Sequence, residues 1–219
     1  MNDDKYEQQE RFIGVLKFRI TLFFILFFMA VFGVFVVTSA LEVNAVVHFI
    51  GSRLAVSAVK QAGTVIDGDA FEALSISLDK DDPFYEAARQ RLWEIAERTG
   101  SAYLYTMAPV SDKIYRYIID GSALPDDRRH FSPLGAEEDI SIWEDVFAAA
   151  LKTGTIQVGG IDQHEVWGPL ISAYGPILNS SGKTVGVIGC DLDARAIVAW
   201  IRGRVVWQLG IAAGFVLIG

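Results

Sequence analysis

The stretch "SAYLYTMAPVSDKIYRYIIDG", residues 101–121, decides the architecture of this 219-residue chain. Aromatic and aliphatic residues alternate along "AYLYTMAPV" and again along "KIYRYIIDG", the period-two pattern of half-buried strands. Ser111 and Asp112 supply a short turn, so the two runs read as an antiparallel pair. In the first, Tyr103, Tyr105 and Met107 share a face. In the second, Tyr115, Tyr117 and Ile119 point one way, Arg116 and Ile118 the other, because successive side chains alternate across a strand.

Upstream the period is helical. In "DDPFYEAARQRLWEIAERTG", Asp82 can cap, Pro83 suits the first helical position, and Gly100 stops the run. Phe84, Ala88, Leu92, Ile95 and Ala96 lie on one side of that helix. In "IDGDAFEAL", Asp69 followed by Glu72 predicts a variant capping box. The acids of "DGD" and "DKDD" lack the alternating ligands of a calcium loop and read as caps. Earlier still, Val43, Val47, Ile50 and Leu54 form a stripe on a helix, free to meet the domain's own sheet or a second copy.

Downstream, "SALPDDRRHFSPLGAEED" has no period and reads as a long loop, a natural lid. "ISIWEDVFAAALKTG" is a helix ended by Gly154. "HEVWGPLISAYGPIL" and "KTVGVIGCDLDARAI" read as strands joined at "NSSG". An antiparallel sheet flanked by helices is an α+β arrangement.

Two apolar runs bracket this middle. Residues 20–41, "ITLFFILFFMAVFGVFVVTSAL", carry no charge across 22 positions, enough to span a bilayer as a helix. The run exceeds a signal-peptide core and follows an acid-containing leader, so a retained transmembrane helix is expected rather than a cleaved signal. Arg11, Lys17 and Arg19 place the 1–19 leader in the cytoplasm. Residues 205–219, "VVWQLGIAAGFVLIG", are uncharged, with Gln208 the one polar side chain. They read as the start of a second transmembrane helix, with a cytoplasmic domain expected beyond it. The domain between, 42–204, holds 23 acids and 15 bases. That acidity speaks against nucleic acid or anionic lipid as a partner. Cys190, the only cysteine, sits in "VGVIGCDL" and reads as a buried small hydrophobe.

Several of these segments together resemble a known family. "DDPFYEAARQRLWEI", "YLYTM", "YIIDG", "FSPLG", "WGPLISAYGPI" and "GVIGCDLDA" look like the extracytoplasmic PAS-like sensor domain of Cache type. Such domains belong to bacterial transmembrane histidine kinases, diguanylate cyclases and chemoreceptors. The resemblance implies a Cache-type antiparallel sheet with a long N-terminal helix, between two transmembrane helices in the inner membrane. It also implies a ligand-sensing input module whose cytoplasmic output domain follows the second span. Amino-acid receptors of this family grip the carboxylate with an Arg and aromatic cluster and receive the amino group on an Asp. Asp191 matches that Asp; the Arg-aromatic run has no counterpart.

No Gly-x-Ser-x-Gly elbow, zinc helix, phosphate loop or cysteine pair is present, so no catalytic site, metal or cofactor is expected. The candidate binding residues are Tyr105, Tyr117, Trp167 and Tyr174 as aromatic walls, and Arg116, His130 and Asp191 as polar contacts. Parity opposes pairing Arg116 with Tyr117 in one pocket unless a bulge intervenes. The expected partners are a small-molecule ligand, the membrane and a second copy bound through the N-terminal helix. The alternative is a membrane-tethered protein-interaction module without a small-molecule ligand.

Overall fold

The computed structural model describes residues 3–122, 131–142, 144–164 and 167–195, with positions 198, 199, 203, 206–208 and 210. The chain divides into two compact units, Met1–Val46 with Val198–Gly219, and Val47–Ile197.

In the first unit, helix α1 begins at Asp3; it ends in the second, at Gly63. Its Arg11–Ser39 portion is, among the described residues, the one helix long and apolar enough to cross a membrane. Phe12, Phe18, Phe23 and Phe28 lie exposed along it, an apolar surface on a helix that satisfies its backbone polar groups internally.

The second unit is built on the later part of α1. Ala55, Ala58, Val59 and Ala62 are buried, whereas Ile50 and Leu54 are exposed. The stripe predicted from the larger residues is therefore not the one turned to the sheet. Small residues let the helix come close: a Cβ on Gly51 would stand 2.5 Å from Ile171, and one on Gly175 2.5 Å from Val59.

Helix α2 covers Gly68–Ser77 and α3 covers Pro83–Thr99. Asp82 caps α3 through the Phe84 N–H at 2.8 Å, and Gly100 closes it at φ 68°. The α2 cap departs from expectation. Asp67 receives the N–H groups of Asp69 and Ala70 at 3.0 and 2.9 Å, because it holds the extended backbone that a cap requires. Asp69 and Glu72, one turn on, are thereby free to reach the tip of a distant hairpin. Asp69 accepts from the Ser180 N–H at 3.0 Å, and Glu72 from Asn179 at 2.9 Å and Lys183 at 3.0 Å.

The sheet has six antiparallel strands: β1 Tyr103–Pro109, β2 Ile114–Asp120, β3 Glu137–Asp139, β4 Gln157–His164, β5 Gly168–Leu178 and β6 Thr184–Asp193. Their order is β3-β2-β1-β6-β5-β4. Helix α4, Glu144–Thr153, follows a single 3-10 turn at Ile140–Ile142. Strands β3 and β4 were not predicted: one is three residues long, and "QVGGIDQH" has no apolar alternation. His164 ends β4 rather than opening β5.

The β1–β2 ladder carries one irregularity. Tyr105 stands opposite Asp120 and Thr106 opposite Ile119, but Met107 stands opposite Tyr117, leaving Ile118 as the extra residue. Thr106 fills the bulge: its Oγ1 accepts the Ile119 N–H at 2.9 Å and its hydroxyl donates to the Ile119 carbonyl at 3.2 Å. Strict alternation put Ile119 on the face of Tyr117; the bulge moves it to the face of Thr106, and brings Asp120 opposite Tyr105.

Thr106 and Ile119 are both fully buried, so removing the hydroxyl strands a backbone donor. Thr106→Val should destabilise the domain by about 1–3 kcal/mol, while Thr106→Ser, which keeps the hydroxyl, should recover most of the loss. Denaturant titration of the chain in nanodiscs measures both.

Candidate ligand-binding site

The central strands set three rows of side chains on one face. Tyr103, Asp191 and Ser172 are in register across β1, β6 and β5; Tyr105, Gly189 and Tyr174 form the next row, and Met107, Val187 and Pro176 the third. Glycine at 189 is a requirement of the site. A Cβ there would lie 2.5 Å from the Tyr105 ring, so its absence lets the ring lie flat over the strand. The Tyr105 ring meets Tyr117 edge-on at 5.4 Å, and Tyr174 meets Phe147 of α4 at 5.2 Å. Phe147 also packs on Tyr115 at 4.6 Å. At the other end, Trp167 meets Tyr103 edge-on at 5.0 Å, beside Asp191.

Asp191 is 6% exposed, and its Oδ1 is buried without a hydrogen-bond partner. Burial pushes its carboxyl up to about 6; hydroxyl contacts from Ser172 and Tyr105 oppose this, and the Asp120 charge adds to it. Burial likewise raises the phenols of Tyr105, Tyr117 and Tyr174, so all three keep their protons at any physiological pH. The face thus places hydroxyl groups around one buried carboxylate whose second oxygen lacks a hydrogen-bond partner.

Asp120 is the neighbouring acid. Its Oδ1 accepts the Ser122 N–H at 2.8 Å and its Oδ2 the Ser132 N–H at 2.6 Å, so one buried side chain holds both ends of segment 122–132. Burial raises this carboxyl too; its hydrogen bonds from Ser122 and Ser132 oppose the effect, and the Arg89 guanidinium adds a smaller offset. Arg89 is itself buried, bonded in a fork to Glu86 at 3.0 and 2.7 Å.

Of the predicted site residues, Tyr105, Tyr117, Tyr174 and Asp191 come together on this face, with Trp167 at its edge. Arg116 does not join them. It pairs with Ala108, one position out of phase with Tyr117, and forms an ion pair with Glu137 at 2.6 Å. His130 lies outside the described residues, as do positions 123–129 of the expected lid. Tyr103, Ser172 and Phe147 were missed. The first two are two residues from Tyr105 and Tyr174, so strand period alone would have found them; Phe147 needed the packing of α4. Among the described residues, no cluster of His, Cys, Asp and Glu is placed to hold a metal.

No family model and no curated protein matches the chain in sequence. Solved structures do match in fold. The sensor domain of the V. cholerae histidine kinase DctB aligns with a TM-score of 0.50 at 15% identity, over 73% of this chain and 55% of that one. The periplasmic sensory domain of the Campylobacter jejuni chemoreceptor Tlp1 aligns at 0.43 and 15%, over 73% and 59%. The sensor domain of E. coli DcuS aligns at 0.40 and 14%, over 74% and 97%. The chain spans about three-fifths of the length of the first two. The likeness is one of fold: the helices and antiparallel sheet of this chain follow the architecture of the DctB sensor domain.

Proposed function

We propose that this chain is the ligand-sensing input module of a bacterial transmembrane receptor, with its sheet domain outside the cytoplasm and its output domain beyond a second span in the inner membrane. The observation that carries the reading is the buried Asp191 carboxylate, one oxygen unpartnered, in a wall of tyrosines. An unsatisfied buried acceptor costs stability, and a ligand that donates to it recovers that cost. The ligand is a small molecule bearing an amine or another hydrogen-bond donor, held by Asp191 and Ser172 and flanked by Tyr105, Tyr117, Tyr174 and Trp167. Ligand binding signals only if it favours one state of the domain over another. Position 191 in β6 is well placed for that, since the segment following β6 leads toward the second span.

A second copy of the chain is the proposed protein partner. Phe49, Ile50 and Leu54 expose apolar surface on α1 beyond its apolar membrane stretch. A Leu54→Cys chain should form disulfide-linked dimers on mild oxidation in membranes, whereas Ile76→Cys, more exposed but on α2, should not. Equal yields at the two positions would remove α1 as the interface.

The site reading is tested with the chain in nanodiscs against a panel of amino acids and primary amines, read by thermal shift. Compounds that stabilise the parent chain should fail to stabilise Asp191→Asn; equal stabilisation of both would refute the site. The unliganded variant carries an independent pH signature. The Asp191 carboxyl is raised from an ordinary 3.8 to about 6 in the fold. Its contribution is therefore complete below about 4 and is lost as pH rises through 6. Asp191→Asn should gain on the parent chain between pH 4 and 7, by up to about 3 kcal/mol, measured by denaturation at each pH.

A further inference from the structure

Gln208 is the one polar side chain of residues 205–219, and it is 5% exposed. Its Nε2 donates to the Oγ of Ser39 at 3.3 Å, across 169 positions of sequence. Ser39 is itself 8% exposed. Its neighbour Thr38 is committed elsewhere, donating within α1 to the carbonyls of Val34 and Phe35. Along the apolar stretch Arg11–Ser39, side chains are exposed except at Ile25, Phe32, Val36 and Ser39. Those four fall at spacings of seven, four and three, which is one face of a helix. The most shielded position on that face is the one bonded to Gln208.

The chemistry makes the pair a constraint on position. In hydrocarbon no water replaces a lost hydrogen bond, so an amide that slides past its partner stays unsatisfied. Apolar contacts between helices can be exchanged for lipid contacts at little cost, and alone they fix register weakly. We propose that the Ser39–Gln208 hydrogen bond is a clasp that fixes the axial register of the second apolar segment against α1. A displacement leaving the sheet domain through the segment after β6 must then carry both segments together or break the clasp. This rests on the reading that 205–219 enter the membrane.

The test uses the full chain with Cys190→Ser in native membranes. Val36→Cys is combined in turn with Ile211→Cys, Ala212→Cys and Ala213→Cys, and intrachain disulfide yield is measured after mild oxidation. With the clasp intact, one pair should exceed the others several-fold. Gln208→Leu should level the three yields, while Ser39→Thr, which keeps a hydroxyl, should preserve the preference. A preference that survives Gln208→Leu, or that is absent from the start, overturns the clasp. Gln208→Cys probed with a membrane-impermeant maleimide tests the membrane reading separately. Labelling in intact membranes would end that reading, whereas protection without a Gln208-dependent preference would end the clasp alone.

Discussion

Asp191 imposes the condition around which the sheet domain is arranged. A carboxylate in the middle of a six-stranded sheet must be supplied with donors or be driven toward its neutral form. Here it receives hydroxyl contacts from Ser172 and Tyr105 and still titrates near 6, with one oxygen left over. Gly189 and the aromatic rows then follow. Tyr105 reaches over β6 because position 189 has no Cβ, and Tyr117 reaches Tyr105 because the Thr106 bulge holds the β1–β2 register. The opposite face carries none of this chemistry. It is closed by alanines of α1 and by Leu92 of α3, whose backbone approaches Gly121 closely enough to exclude a side chain there.

Much of this was legible in residues 101–121, where alternation located both strands and the shared face of Tyr103 and Tyr105. Start and stop signals located α3 to the residue, because a cap, a proline and a terminal glycine act locally. What the sequence hid was non-local. Asp69 and Asp67 are equally good caps on paper, and only the distant Ser180 shows which one is committed elsewhere. The bulge at Thr106 leaves no compositional trace, since it depends on a hydroxyl meeting a backbone pair thirteen residues away. The stripe through Ile50 and Leu54 left the sheet and a second copy both open, and the packing removes the sheet. Close packing of α1 on β5 favours the smallest residues, so the buried face is the less hydrophobic one.

Four of the seven predicted site residues meet on one face, with Trp167 at its edge, and the exception within the described chain is instructive. Arg116 drew notice as a basic residue in an acidic domain, but parity places it with Ala108, and Glu137 neutralises it at the sheet edge. The tyrosine face is consequently acidic in character, with Asp191 on β6 and Asp120 on β2, the two strands that flank β1. Electrostatics of this sign attract donors and cations and discourage a bare carboxylate.

The grip of Asp120 on Ser122 and Ser132 has a consequence for evolution. A loop whose two ends are tied at one point presents the rest of the protein with a fixed boundary, whatever lies between. Closing such a loop costs entropy that grows only with the logarithm of its length. Insertions and substitutions within it therefore leave the strand ladder and the tyrosine rows almost untouched. A lineage carrying this anchor can rewrite the residues between Ser122 and Ser132 repeatedly while inheriting the same scaffold.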